Sequence, residues 1–150
     1  MDDLHNVRML VRLLDQAARV PLKAHHDDAG LDLFALNDVT VYPGNRPLKV
    51  RTGVAVALPY GYGAWIQGRS GVTSRGLIIH QGLIDNGYHG ELLVMASTVA
   101  TGEPYVINAG DRIAQLVPFR VPELWVDVDY SDNQFSSSER GTNGFGSTGI

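Results

Sequence analysis

The chain contains no cysteine, which excludes disulfides and metal sites built on thiolates. Long apolar runs are also missing: no stretch approaches membrane-spanning length, and Met1–Asp3 opens without the apolar region of a secretory signal. Charged residues make up only 19% of the 150 residues and the net charge is −4, so the chain lacks the basic excess that general nucleic-acid binding requires. We therefore expect a cytoplasmic protein with neither a nucleic-acid partner nor a membrane partner.

Glycine and proline are plentiful, with 17 and 7 copies, and they separate short apolar runs. The runs Val54–Leu58, Ala64–Gln67 and Leu92–Met95 read as buried strands, and Pro43–Asn45 and Pro59–Gly61 read as turns. The length suits one domain with a sizeable core. Short strands with regular turns predict an all-β sandwich or barrel.

Two segments near the N-terminus are ambiguous. Leu4–Val20 has apolar residues at helical spacing, but part of it could equally be a short buried strand. The run His25–Asp28 has the composition of a metal site. Neighbouring side chains of an extended chain point to opposite faces, so these four side chains cannot easily converge on one ion.

A single acid interrupts the apolar run Ala29–Ala35, which reads as a strand. A carboxylate at Asp32 would be buried, and a buried carboxylate needs a partner or an ion. Two interpretations stay open: an arginine pairs with Asp32, or Asp32 helps to hold a metal.

The segment Gly68–Gly71 reads Gly-Arg-Ser-Gly and follows a predicted strand directly. Its glycines expose backbone N–H groups, the serine adds a hydroxyl donor, and the arginine supplies a cation with bidentate geometry for phosphate. This combination predicts an oxyanion cradle, although an ordinary turn has the same composition.

A glutamine interrupts the apolar strand predicted within Gly110–Val117. Regular alternation puts Ile113 and Gln115 on one face and Arg112 and Ala114 on the other. Gln115 must find hydrogen bonds, either with a neighbouring backbone or with a ligand.

The stretch Gly82–Glu91 combines an acid, a turn signal and a tyrosine. Asn86–Gly87 predicts a β-hairpin that holds Asp85 and Tyr88 on either side of its bend. A fixed carboxylate can orient a water as general base, and a tyrosine ring offers a flat apolar face to a sugar. A surface hairpin with an ordinary turn acid is the alternative.

The composition changes at Phe135, after which the chain is polar and rich in glycine. Such a segment cannot bury enough apolar area to fold alone. We therefore divide the chain into a β domain, 1–134, and a flexible C-terminal arm, 135–150. The arm is either a disordered terminus or a segment that becomes ordered over a ligand.

Taken together, five segments resemble the motifs of the trimeric dUTPase family, including its actinobacterial and phage members. In chain order they are Ala29–Leu33, Gly68–Gly71, Gly82–Glu91, Gly110–Leu116 and Arg140–Gly149. The resemblance implies a jelly-roll-like β domain in a homotrimer, with active sites between subunits. It also implies Mg²⁺-dependent hydrolysis of dUTP to dUMP and pyrophosphate. That reaction keeps uracil out of DNA and supplies dUMP for thymidylate synthesis.

The same resemblance implies roles for the nucleoside end of the site. Asp85 would orient the attacking water and contact the sugar 3′-hydroxyl. Tyr88 would pack on the deoxyribose and exclude a 2′-hydroxyl, and Gly82 would be a further substrate contact. Asp32 would hold waters around Mg²⁺.

For the phosphate end, the resemblance implies that Arg69, Ser70, Gly71 and Gln115 contact the substrate. Arg69 and Gln115 would also take part in catalysis, together with Asp85 and Asp32.

The arm would close the site from a neighbouring subunit. Phe145 would stack on uracil. Arg140, Ser147 and Thr148 would reach the terminal phosphates, and Gly146 would add a backbone donor.

The resemblance is incomplete at two places: Gly68 stands where the family usually has proline, and Leu77–Gln81 is shorter than usual. Two alternatives follow from the same fold. A dCTP deaminase would use a glutamate near the base, for which Glu91 is the nearby candidate. A regulatory interaction module would bind a partner protein without turnover.

Overall fold

The computed structural model describes residues 6–99, 101–130, 138 and 141–144. Within these residues the backbone forms ten strands and one helical turn. They are β1 (Leu10–Leu13), β2 (Leu31–Phe34), β3 (Val39–Val41), β4 (Leu48–Ala57), β5 (Tyr62–Gln67), α1 (Ser70–Thr73), β6 (Leu77–His80), β7 (Gly82–Ile84), β8 (Glu91–Thr98), β9 (Tyr105–Ile107) and β10 (Arg112–Arg120). In this part of the chain no helix is long and apolar enough to cross a membrane. The predicted all-β class is confirmed.

The strands form two four-stranded sheets and a two-stranded one. Their orders are β1-β4-β8-β6, β2-β10-β5-β7 and β3-β9, with antiparallel pairing in each. One hydrophobic cluster draws side chains from all three sheets, among them Leu33, Val94 and Leu116. Strand β8 shows the underlying pattern, since every second residue from Leu92 to Thr98 is buried. A period of two places one face of each sheet in a shared core, as in a β-sandwich.

The short runs predicted as strands lie in β4, β5 and β8. The ambiguous N-terminal segment contains a strand, β1, and no helix among its described residues. It is not a buried strand, because β1 lies at a sheet edge and Leu10 is 69% exposed.

The predicted β-hairpin at Asn86–Gly87 is wrong. Strand β7 pairs with β5, whereas β8 pairs with β4 and β6, so the turn carries the chain from one sheet to the other. Gly87 is not among the glycines with positive φ, which a two-residue hairpin turn of the Asn-Gly type requires. The Tyr88 amide instead donates to the Asp85 carbonyl at 3.1 Å, as in a common β-turn.

A bulge interrupts β4, and a carboxylate stabilises it. The register with β8 shifts between Arg51 and Ala55, and Gly53 there has φ of +70°. Oε1 of Glu91 accepts hydrogen bonds from the Gly53 amide at 2.8 Å and from Nε of Arg51 at 3.1 Å. The amide that leaves the strand ladder therefore keeps a partner.

The bulge gives a testable prediction at Gly53. A Cβ there would lie 2.9 Å from Cβ of Ala18 and 3.1 Å from Cδ1 of Leu36. We expect Gly53→Ala to lower the free energy of unfolding by about 2–4 kcal/mol, through backbone strain and overpacking. Gly44→Ala is the matched control, because Gly44 has φ of +77° but no heavy atom within 4 Å of an added Cβ. It should cost about 1 kcal/mol.

Urea denaturation of both variants measures the difference. Equal losses would show that the space around Gly53 adjusts without cost and that only its backbone conformation matters.

Candidate active site

Three polar side chains form a row across neighbouring strands of the second sheet. Asp32 in β2 lies opposite Gln115 in β10, and Gln115 lies opposite Gln67 in β5. Directly opposed residues of antiparallel strands project from the same face. Pairing of the strands therefore brings together two predicted site residues that are 83 positions apart.

A register slip adds an arginine to this row. The pairing of β10 with β2 shifts around Ile113, which is buried in the core. Beyond the slip, Arg112 lies opposite Phe34, two residues from Asp32. Arg112 consequently shares a face with Gln115. The prediction from regular alternation, which put these two residues on opposite faces, is wrong, because a bulge reverses the alternation.

The Asp32 carboxylate lies between two guanidinium groups. Its Oδ1 is 3.0 Å from Nε of Arg69, and its Oδ2 is 3.4 Å from Nη1 of Arg112. The residue is only 7% exposed. The interpretation of Asp32 as an arginine partner is confirmed. Apart from this ion pair with Arg112, the buried Oδ2 has no hydrogen-bond partner among the described residues.

The Gly68–Gly71 segment joins the same cluster. The Gly68 carbonyl accepts a hydrogen bond from Nε2 of Gln115 at 2.9 Å, and the chain then enters the helical turn α1 at Ser70. Nη1 of Arg69 donates to the Arg112 carbonyl at 3.3 Å. The first N–H groups of a helical turn have no acceptor within it, so the Ser70 and Gly71 amides can bind an anion.

Close packing fixes the position of Gln115. Its Nε2 donates to the backbone carbonyl of Gly68, so the interpretation that Gln115 bonds a neighbouring backbone is confirmed. Its Oε1 lies against Gly30. A Cβ on Gly30 would come within 2.6 Å of that oxygen. The glycine of the first motif therefore makes room for the glutamine of the fourth, and both lie beside Asp32.

These groups line one polar cavity of about 430 Å³, which we call the Asp32 cleft. His25 and Asp28 also line it, which the sequence reading did not foresee. Oδ2 of Asp28 accepts a hydrogen bond from the His25 amide at 2.8 Å, which closes a tight turn at the rim of the Asp32 cleft. Among the described residues, no three His, Asp or Glu side chains cluster as metal ligands. The turn at His25–Asp28 is formed by a local hydrogen bond. Its position at the cleft depends instead on the pairing of Leu22 with Asp32 of β2, which the sequence does not show.

A second, smaller cavity of about 230 Å³ lies at the sheet-crossing turn, and we call it the Asp85 hollow. It is lined by Gly82, Asp85, Tyr88, Glu91 and four apolar residues. Tyr88 is 42% exposed, and its hydroxyl donates to the Glu91 carbonyl at 2.8 Å. The tyrosine is thus fixed at the mouth of the hollow beside an exposed carboxylate.

The turn itself is held by an asparagine. Nδ2 of Asn86 donates to the Pro59 carbonyl at 2.8 Å and to the Tyr62 carbonyl at 2.9 Å. These two bonds connect the turn to the start of β5. They give Asp85, the preceding residue, a fixed backbone position without any hairpin.

Within a single chain the two cavities share no lining residue. Asp32, Arg69 and Gln115 therefore meet each other, but Asp85 and Tyr88 do not join them. The arm residues Arg140, Phe145, Gly146, Ser147 and Thr148 lie outside the described residues, so the predictions for them stay predictions.

Comparison with known proteins gives a consistent answer. The family model for dUTPase matches residues 16–149. The deoxyuridine 5′-triphosphate nucleotidohydrolase of Thermobifida fusca is 46% identical, over 95% of this chain and 79% of the relative.

Solved structures agree with the family match. A mutant dUTPase of Staphylococcus bacteriophage 80alpha, solved with dUpNHpp, is 32% identical with a TM-score of 0.79, over 97% of this chain and 100% of that one. A mutant dUTPase of phage phi11 of S. aureus, which coordinates a structural Mg(II) ion, is 33% identical with a TM-score of 0.73, over 83% and 99%.

Proposed function

Because this chain belongs to the dUTPase family, we propose that it hydrolyses dUTP to dUMP and pyrophosphate, with the Asp32 cleft as the phosphate site. The observation that carries the assignment is the joint placement of Asp32, Arg69, Gln115 and the Ser70 amide around one cavity. The fold is the jelly-roll-like β domain that the family resemblance implied.

Phosphates are bound by fixed donors in this proposal. Arg69 is held by Asp32 and by the Arg112 carbonyl, so its guanidinium is oriented before substrate arrives. Ser70 and Gly71 add amide and hydroxyl donors, and Gln115 adds an amide that cannot swing away. Such preorganised donors stabilise the negative charge that develops in phosphoryl transfer.

The chemical step consumes one water. Asp85 accepts a proton from that water, whose oxygen ends on phosphorus while the bridge between the α- and β-phosphates breaks. The products are dUMP, pyrophosphate and the proton that Asp85 later releases. Tyr88 packs on the deoxyribose and leaves no space for a 2′-hydroxyl, and Gly82 contacts the nucleoside.

Mg²⁺ fits the donors of the Asp32 cleft. This ion prefers one or two carboxylates together with waters and substrate phosphates. Asp32 has one buried oxygen without a hydrogen-bond partner in the described structure, and a metal-bound water could donate to it. The ion supplies charge neutralisation on the triphosphate. Asp32, paired with two arginines, would hold waters of the bound ion.

Two observations support the homotrimer that we propose: the separation of the two cavities and an exposed apolar surface. The segment 121–130 forms no strand, yet it exposes Leu124, Trp125 (86%), Val126 and Val128 to solvent. Isolated monomers rarely expose so much contiguous apolar area. We propose that neighbouring copies cover this segment and bring the Asp85 hollow of one subunit to the Asp32 cleft of another.

The arm, 135–150, completes the proposed site from a neighbouring subunit. Phe145 stacks on uracil, Arg140, Ser147 and Thr148 bind terminal phosphates, and Gly146 donates its amide. The proposed location is the cytoplasm, where dUTP hydrolysis protects DNA and feeds thymidylate synthesis.

The two alternatives are not favoured. A deaminase would need a glutamate free to move protons, but the Glu91 carboxylate is engaged by the Gly53 amide and by Arg51. An interaction module without turnover gains no support from the site, since Asp32, Arg69 and Gln115 are all in place.

Replacing the proposed base should separate chemistry from binding. We expect Asp85→Asn to lower kcat about 10²–10⁴-fold, because an amide cannot accept the water's proton. The affinity for dUTP should stay close to that of the parent protein, because the amide is nearly isosteric. Glu103→Gln, which removes an exposed carboxylate in another loop, is the control. Single-turnover kinetics and calorimetric binding would measure both quantities, and a near-native kcat would rule out Asp85 as the base.

Mixing two inactive variants tests whether sites are shared between subunits. Asp85→Asn and Arg69→Gln should each be inactive alone. Co-refolded at equal amounts, they should recover activity, because random assembly leaves about one quarter of the sites with native residues from both contributors. Specific activity of the mixture and light scattering are the measurements. A mixture as inactive as its components would place both residues in one subunit's site.

Truncation before Arg140 tests the arm. The deleted segment, 140–150, contributes few large apolar groups, so the oligomer should stay folded. Loss of the arginine, the stacking ring and the hydroxyl donors should reduce kcat/KM about 10³-fold or more. Circular dichroism and light scattering control for folding and assembly. Unchanged turnover by the truncated protein would identify the segment as a dispensable terminus.

A further inference from the structure

Next to the Asp32 cleft lies another polar cavity, of about 390 Å³, which we call the arginine cavity. Arg69, Arg75 and Arg112 line it, together with residues of β9 and of the turn before β10. Arg69 and Arg112 also line the Asp32 cleft, so the two cavities share a wall made of guanidinium groups. The two cavities are therefore neighbours along these two side chains.

Arg75 has no role in the proposed reaction, yet it is oriented. Its Nε donates to the Gly71 carbonyl at 3.1 Å, which folds the side chain back along α1. In the described part of the chain it forms no ion pair with a carboxylate, in contrast to Arg69 and Arg112. Its terminal nitrogens are therefore available to a ligand.

The charge of the arginine cavity favours an anion. Three guanidinium groups line it, against one lining carboxylate, that of Asp111. Oδ2 of Asp111 is already engaged by the Asn108 amide at 2.8 Å. Asp32 does not line the cavity but pairs with Arg69 and Arg112. When its charge is included with that of Asp111, the three arginines still leave a net charge of +1. By contrast, the Asp32 cleft has two arginines against Asp28 and Asp32, with no excess when His25 is neutral.

From these contacts we propose that the arginine cavity is a pyrophosphate subsite, in which Arg75 binds the leaving group alongside Arg69 and Arg112. The inference rests on the proposed function for the identity of the anion. Guanidinium groups bind phosphate oxygens in bidentate geometry, and pyrophosphate offers enough oxygens to contact several of them at once. The nucleoside monophosphate has a single phosphoryl group and should depend much less on Arg75.

Binding of inorganic pyrophosphate to the full-length protein tests the subsite directly. We expect Arg75→Gln to raise the Kd of pyrophosphate about tenfold, as for loss of a charged hydrogen-bonding group. The Kd of dUMP should change less than about twofold. Arg46→Gln is the matched control, since Arg46 is exposed and lines none of these cavities. Arg75→Lys, which keeps the charge but not the fork of donors, should fall between Arg75→Gln and the parent protein.

Titration calorimetry at two salt concentrations gives these constants, and melting temperatures check folding. Equal pyrophosphate affinity in the Arg75→Gln and Arg46→Gln variants would overturn the subsite. An equal loss of dUMP affinity in the Arg75→Gln variant would also overturn the subsite, because it would indicate a general change in electrostatic potential. Assay of the parent protein for dUMP release tests the proposed function separately, so the two inferences can fail independently.

Discussion

The arrangement of the site depends on a buried carboxylate that must be compensated. Asp32 is almost inaccessible to water, and a charge in that position is costly unless oppositely charged groups surround it. Arg69, from the loop before α1, and Arg112, from the start of β10, provide the compensation. Both arginines are drawn to one point by this requirement. In the proposed function the same contacts orient these guanidinium groups for phosphate, so that compensation of Asp32 and substrate binding would depend on the same residues.

Irregularities in strands β10 and β4 determine where Arg112 projects and what the Glu91 carboxylate contacts. The slip around Ile113 turns Arg112 toward Asp32, and the bulge at Gly53 engages the Glu91 carboxylate. In β10 one extra residue changes the face on which side chains project, whereas β4 has two extra residues between Arg51 and Ala55 relative to β8. The first irregularity places Arg112 beside Asp32, in the proposed phosphate site. The second uses the Glu91 carboxylate as a structural hydrogen-bond acceptor, so Glu91 is not free for the proton transfers of a deaminase.

A single copy of the chain does not bring all of the proposed site residues together. Its phosphate donors and its candidate base lie in cavities without a common residue, and its 121–130 segment exposes apolar side chains to water. The proposed homotrimer would account for both features. Dividing a site among subunits also means that assembly and activity depend on the same contacts.

The sequence by itself determined the all-β class and most core strands, and its motifs supplied the proposed site residues, because alternation, turn chemistry and motif composition are local properties. Local signals failed at Asn86–Gly87, where they predicted a hairpin. Whether two strands flanking a turn pair with each other depends on which sheet each one joins. The partners of Asp32, the face occupied by Arg112 and the role of Arg75 likewise came only from the tertiary structure. Register and bulges are decided by packing between residues far apart in the chain, and no local pattern encodes them.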